Sequence, residues 1–248
     1  MIKYTLDDLG LIMERFEKRT FVLVHGAWHG GWVWWDVIGR LRNLGHTVTA
    51  PTLTGLGERY HTGNETADLK THIDDVVAHI EMENLYQVTL VGWSYGGMVV
   101  TALLARIPER IRDVVYLDAF VPEDGKALVD YLPPDGKELL DSFKAKNLPF
   151  PPLPMSFFGV TDPRVIAFVE PRLHPQPWRT FYEPVTVPND IHAIEFSYIV
   201  CRGYGETAFT SRLAAIEADP KFHIITLEAD HHCMLTSPDE TVGALVRK

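Results

Sequence analysis

A serine set between glycines, Gly92-Trp93-Ser94-Tyr95-Gly96, follows directly on the apolar run Val88 to Val91. The glycines permit a turn too tight for side chains, which lifts the Ser94 hydroxyl off the end of a strand, where Gly96-Gly97 opens a helix. A hydroxyl so placed can attack an electrophilic carbon. At neutral pH it needs a base within hydrogen-bond reach, and that base needs a third group to orient it. Of the eleven histidines, only His231 and His232, in EADHHCMLTSPDE, stand in the loop beyond the last apolar run. That is where the active-site groups of open α/β sheets collect. Acidic candidates for the orienting role also lie downstream of Ser94.

Attack on an acyl carbon creates an oxyanion, and each preorganised N–H donor facing it contributes on the order of 3 kcal/mol. The residue after the nucleophile, Tyr95, supplies one donor. The loop His25-Gly26-Ala27-Trp28 supplies the other, from Ala27, if the strand before it neighbours the Val88 strand in space. A strand order of 2-1-3-4-5-6 meets that condition, because its switch point opens a crevice between strands 1 and 3. The elements follow that scheme. Short strands are predicted at Phe21–Val24, Thr47–Ala50, Val88–Val91, Val114–Leu117, Tyr198–Val200 and Phe222–Leu227, separated by helix-length sequence. Alternation of this kind implies a six-stranded, mostly parallel sheet with helices on both faces. Helices are predicted to about Leu44, stopped by Gly45, and over Asp68–Met82 and Gly96–Arg106. Leu6, Leu9, Ile12, Met13 and Phe16 add an amphipathic helix over residues 4–19, which lies on the body or serves as a homodimer contact.

One interval breaks the alternation. Residues 122 to 190 hold thirteen of the seventeen prolines, which limits them to short helices and extended pieces. Their aromatic residues need apolar surface to bury. We expect a cap insertion over the active site within a single domain spanning 1–248, and a substrate pocket lined by Trp28, Phe120, Trp178 and Phe181.

The formal net charge of −10 and the lack of a Lys/Arg cluster disfavour nucleic acid or an anionic membrane surface as partner. Cys201 and Cys233 lie far apart in sequence and form no CxxC pair, so neither a disulfide framework nor a metal site is indicated, and no cofactor is expected. Charges interrupt the first twenty residues, and no apolar run is long enough to span a bilayer. These features point to a cytoplasmic protein acting on a small molecule.

The stretches VLVHGAWHGGWVWW, LGHTVTAPTLTGLGER, LVGWSYGGMVV, YLDAFVPEDG and ADHHCMLTSPDE together resemble the plant methyl esterase and hydroxynitrile lyase family of α/β-hydrolases. They are more similar to its bacterial branch of pyrethroid-hydrolase-like esterases. The resemblance covers roughly residues 20 to 248 and implies an α/β-hydrolase fold with a serine triad. It places the catalytic histidine at His231. Plant members carry their aspartate beyond the fifth strand, where this chain reads IVCRGYGETAF and offers only Glu206. Asp118, after the fourth strand, is therefore the expected acid, with Glu206 as the alternative; Asp230 is disfavoured because adjacent residues in an extended segment point apart. Trp93 replaces the histidine usual before the nucleophile and is expected to change packing under the turn rather than chemistry. Hydroxynitrile lyases of the family use a lysine after the catalytic histidine and a threonine in the first loop; here those positions are His232 and Gly26. The implied activity is that of a serine carboxylesterase on a small, fairly apolar, aryl or cyclic ester, through an acyl-enzyme. A lactonase or thioesterase would use the same residues, and a hydrolase-fold ligand receptor with little turnover is the alternative from another class.

Overall fold

Each apolar run forms a strand, because a strand covered on both faces has no polar alternation to keep. The strands are β1 (Thr20–Val24), β2 (Thr47–Thr49), β3 (Val88–Trp93), β4 (Ile111–Leu117), β5 (Glu195–Cys201) and β6 (Phe222–Leu227). The computed structural model describes residues 17–63, 66–188, 194–205 and 212–247. Glu206 lies outside the described residues, as does the helix expected over 4–19, except for residues 17–19, which are not helical.

All neighbouring strands run parallel, in the order β2-β1-β3-β4-β5-β6. Val24 pairs with Gly92 and Trp93 with Leu117, so the carboxyl ends of β1, β3 and β4 finish level with one another. The switch point falls between β1 and β3, and loops from those ends diverge to open a crevice.

Successive strand residues point to opposite faces, which divides the core in two. Val22, Val24, Leu90 and Val114 face one side, where α2 (Leu69–Met82) and α3 (Gly96–Leu103) cover them. Phe21, Leu23, Val91 and Leu117 face the other, under α1 (Trp35–Asn43) and α8 (Pro238–Val246). Asp68 caps α2 by accepting from Thr71 N at 2.8 Å, which fixes where that helix starts and presents His72 inward. α3 stops at Leu103, a turn earlier than its sequence suggests, in three 3₁₀-type bonds from Leu104 to Arg106.

The chain between β4 and β5 leaves the sheet. It holds α4 (Pro134–Ala145), α5 (Pro163–Val169) and short 3₁₀ turns at Leu128–Tyr131, Met155–Phe158 and Trp178–Phe181. Pro134 and Pro163 open the two helices, where a missing N–H costs nothing. Phe150 and Gln176 join its halves in an isolated antiparallel bridge. α6 (Leu213–Ala218) precedes β6, and α7 (Cys233–Thr236) follows it. Among the described residues no helix is long and apolar enough to cross a membrane.

Candidate active site

Six non-glycine residues among those described have positive φ, and three of them crowd the carboxyl ends of β1, β3 and β4: Trp28 at +66°, Ser94 at +55° and Asp118 at +45°. Left-handed backbone is costly for such residues and persists where the surroundings over-determine it, typically at working sites. At Ser94 the turn is made possible by its glycines. A Cβ on Gly97 would sit 2.0 Å from Phe120 O, and one on Gly92 would sit 2.6 Å from Val100. Phe120 N–H and Gly97 N–H both donate to Ser94 O, at 3.2 and 3.1 Å. The serine is thereby held at the start of α3, 8% exposed, opening onto a cavity.

Asp118 directly follows β4, and its N–H donates to Ile199 O of β5 at 2.7 Å. Its side chain is wholly buried and fully engaged. Oδ1 accepts from Cys201 N at 3.2 Å; Oδ2 accepts from His231 Nδ1 at 2.8 Å and from the Tyr204 hydroxyl. Tyr204 also lies 3.2 Å from His231 Nδ1. His231, 1% exposed, stacks on Phe158 with ring centroids 5.1 Å apart, and its N–H donates to Phe158 O at 3.2 Å. Trp93, beside the serine, donates its indole N–H to His231 O at 2.9 Å. Order along the chain thus becomes proximity at the sheet's carboxyl edge. Asp230, which the sequence disfavours, instead accepts from His232 N and Thr236, and burial raises its pKa.

The loop after β1 is pinned peptide by peptide. Leu53 N–H donates to His25 Nε2 at 3.0 Å, so Nδ1 carries the proton and donates to Gly26 O at 2.8 Å. The Gly26–Ala27 peptide is therefore fixed at its oxygen, with its N–H directed the opposite way. Among the described residues no acceptor meets the N–H of Ala27 or of Tyr95. Both residues line the cavity with Ser94. His29 Nδ1 donates to Ala27 O at 2.6 Å, which leaves His29 Nε2 to accept from His232 Nε2 at 3.2 Å. Burial holds His25 and His29 at about 3, and drives His232 well below the ordinary imidazole range, so all three are neutral near pH 7. His232 turns away from the serine and packs on Trp93, 4.9 Å between centroids. Trp93 also fills the space beside Gly26, where a Cβ would meet its ring and Ser94 Cβ at 3.0 Å.

The cavity measures about 700 Å³. Ala27, Ser94 and Tyr95 form its floor; Trp28, Phe120, Phe150, Phe158 and Phe181 form apolar walls. Trp178 lies apart from it, a correction to the sequence expectation. Its indole N–H donates to Asn147 Oδ1 at 3.1 Å and its ring packs on Tyr182 and Arg179, at the outer end of the turn whose other end is Phe181. The two cysteines, distant in sequence, meet behind the site as free thiols, and their hydrogen bond, then burial, pushes Cys201 far above the ordinary thiol range. Among the described residues no group of three or more His, Cys, Asp or Glu is arranged to hold a metal ion.

Three contributors escaped the sequence reading. Tyr204 stands in the loop where the resembled plant proteins keep their aspartate, and a tyrosine there was the available signal. His25 precedes the glycine of the first loop, a position that only its Leu53 contact explains. His29 lies two residues beyond Ala27.

A model of the alpha/beta hydrolase family matches residues 21–244. The chain is 39% identical to a carbendazim hydrolyzing esterase of Nocardioides sp. (strain SG-4G), over 91% of this chain and 97% of that protein. It is also 39% identical to salicylic acid-binding protein 2 of Nicotiana tabacum, over 43% of this chain and 42% of that one. Among solved structures, an extracellular alpha/beta-hydrolase from a Paenibacillus species superposes with a TM-score of 0.78 at 24% identity, covering 92% of this chain and 98% of that one. The S78A form of the pyrethroid hydrolase PytH gives 0.71 at 17% identity, covering 92% and 96%. At those identities the structural matches speak for the fold alone.

Proposed function

Because this chain belongs to the alpha/beta hydrolase family, we propose that it is a serine carboxylesterase acting on a small, fairly apolar ester with an aryl or cyclic part. The observation that carries the reading is the buried Asp118–His231 pair at 2.8 Å, beside a serine held at φ +55° on the floor of an apolar cavity. Ser94 Oγ attacks the acyl carbon while His231 takes its proton; Asp118, steadied by Tyr204 and Cys201 N–H, holds the histidine proton on Nδ1, which makes Nε2 the basic nitrogen. The N–H groups of Ala27 and Tyr95 receive the oxyanion. His231 then returns the proton to the departing alkoxide, and water repeats the sequence in reverse to release the acid. The segment between β4 and β5 is the cap, and its Phe150, Phe158 and Phe181 supply the apolar wall that selects the substrate.

Cyanohydrin cleavage does not suit this site. His232 is neutral and faces His29, so it offers no cation for a leaving cyanide, and Gly26 has no room for the threonine side chain that would bind the hydroxyl.

The test is hydrolysis of short p-nitrophenyl esters, extended to a panel of aryl esters and to carbendazim, which the Nocardioides relative is named for hydrolysing. Ser94→Ala should fold normally and lose turnover to the level left by binding and the oxyanion hole, about 10³ to 10⁴ over water. An alkyl fluorophosphonate should label Ser94. Near-wild-type turnover in Ser94→Ala would sink the reading.

A further inference from the structure

The polar groups of Trp28 are all spent on the cap. Its N–H donates to Gln176 Oε1 at 3.0 Å, its C=O accepts from His174 N at 3.0 Å, and its indole N–H donates to Phe150 O at 3.0 Å. These bonds hold a bulky residue at φ +66°, a conformation its own sequence does not favour. The Ala27–Trp28 peptide is consequently gripped at both ends, by His29 at the oxygen and by Gln176 at the nitrogen. With His25 holding the preceding peptide, Ala27 is left one direction for its N–H.

Gln176 is itself fixed. Its Nε2 donates to Thr180 Oγ1 at 2.9 Å, and the Thr180 hydroxyl donates to Pro177 O at 2.7 Å. Tyr95 Oη donates to His72 Nδ1 at 2.9 Å, because His72 Nε2–H is committed to Thr54 O at 2.9 Å. Gln176, Thr180 and His72 have no exposed surface, and Tyr95 has 1%. The two proposed oxyanion donors are thus held by separate buried contacts, the Ala27 loop through Gln176 and Thr180, and Tyr95 through His72. Gln176 and Thr180 come from the cap. With no water to turn to, each group keeps the orientation its neighbours allow.

We propose that Gln176 is a positioning residue for ester hydrolysis, a latch through which the docked cap sets the Ala27 N–H against the oxyanion, with Thr180 fixing its amide. Cap docking and completion of the oxyanion hole are then one event. This inference rests on the esterase reading above.

Gln176→Met keeps the side chain's length and removes the acceptor. On a p-nitrophenyl ester it should lower kcat about 10- to 100-fold, less than outright loss of a donor, with KM changed less than about threefold. Two ketones then separate a misaimed hole from a loosened cap. In a trifluoromethyl ketone, Ser94 Oγ bonds to the carbonyl carbon, the carbonyl electron pair moves onto oxygen and the serine proton passes to His231. The matching methyl ketone fills the same space without adding. The inhibition constant of the first should rise by the factor by which kcat/KM falls, while that of the second stays level. Unchanged kcat, or equal weakening of both ketones with a raised KM, would overturn the latch. If Gln176→Met does not fold, Thr180→Val carries the test: the ketones should diverge several-fold, and parallel changes would overturn it. Ser94→Ala, run alongside, separates the two readings, since turnover surviving in it defeats the esterase, whereas a dead Ser94→Ala with an unimpaired Gln176→Met defeats only the latch.

Discussion

Lowering the pH from 7.5 to 5 should remove about 6 kcal/mol of unfolding free energy through three buried histidines, comparable with the lower part of the roughly 5–15 kcal/mol that a domain commonly has. His25, His29 and His72 are at most 2% exposed. Burial, first among the causes, lowers them from 6.5 to about 3, 3 and 4, with bonds to Gly26, Ala27 and Thr54 pulling weakly the other way. The folded pKa is depressed, so between about pH 4 and 6.5 the unfolded chain binds protons that the fold refuses. Their stabilisation is complete above 6.5 and lost as the pH falls toward the folded values. At pH 5 each unfolded histidine has gained about 2 kcal/mol from protonation. His232, displaced in the same direction, adds to the loss. Asp113 and Asp230, raised by burial, act in the opposite sense, because a carboxyl that is neutral in the fold is favoured as pH falls. Urea unfolding followed by tryptophan fluorescence at pH 7.5, 6.5, 5.5 and 5, at fixed ionic strength, measures the slope. It should correspond to an uptake of about three protons near pH 5, and His72→Gln should reduce that uptake by about one. A total loss below about 2 kcal/mol, or an unchanged slope in His72→Gln, would refute the assignment of these residues as buried and neutral.

Asp118→Asn should preserve the geometry but favour the wrong His231 tautomer, lowering kcat by roughly 10⁴; a nearly active Asp118→Asn alongside a dead Glu206→Gln would move the acid elsewhere. Tyr204→Phe removes one hydrogen bond to a buried carboxylate, on the order of 1.5 kcal/mol and so about tenfold in kcat, with KM on p-nitrophenyl esters little changed. A KM effect without a kcat effect would make Tyr204 a packing residue.

What could be read from the chain alone was what leaves a local mark. The Ser94 turn shows itself in Gly92, Gly96 and Gly97, because only residues without Cβ let the strand, α3 and Phe120 O approach so closely. The alternation of apolar runs with helix-length sequence implied a parallel sheet, and the order 2-1-3-4-5-6, the condition for setting Ala27 across from Tyr95, is the order the sheet has. Side-chain direction in the proline-rich segment left no such mark. Trp178 and Phe181 share one short turn and one chemical character, yet only Phe181 lines the cavity, since nothing in their spacing says which end of a 3₁₀ turn will meet Tyr95. The supports of the loop after β1 were equally illegible. Gln176 acts on Trp28 from 148 residues away, and Leu53 sets the His25 tautomer from 28 residues away.

The proposed triad takes its acid from the end of β4, and the surroundings of Asp118 suit a carboxylate there. A histidine arriving from the loop after β6 must meet a carboxylate near the ends of β4 and β5, and either strand can deliver it. Asp118 leaves β4 with left-handed backbone and sends its N–H to Ile199 O of β5, which turns its side chain toward the neighbouring strand's end. β5 answers with two donors, Cys201 N–H and the Tyr204 hydroxyl, so the strand that gives up the carboxylate retains the task of solvating it. Without those donors, a carboxylate with no exposed surface would have only His231 to offset its burial. The tyrosine after β5 thus helps to offset the burial of Asp118, which the proposed triad requires. Gly159, in the segment between β4 and β5, completes the arrangement, because a Cβ there would lie 2.4 Å from Tyr204 Cβ and push the phenol off Asp118. Acid, tyrosine and glycine come from three separate parts of the chain, and each has a place only because the other two have theirs.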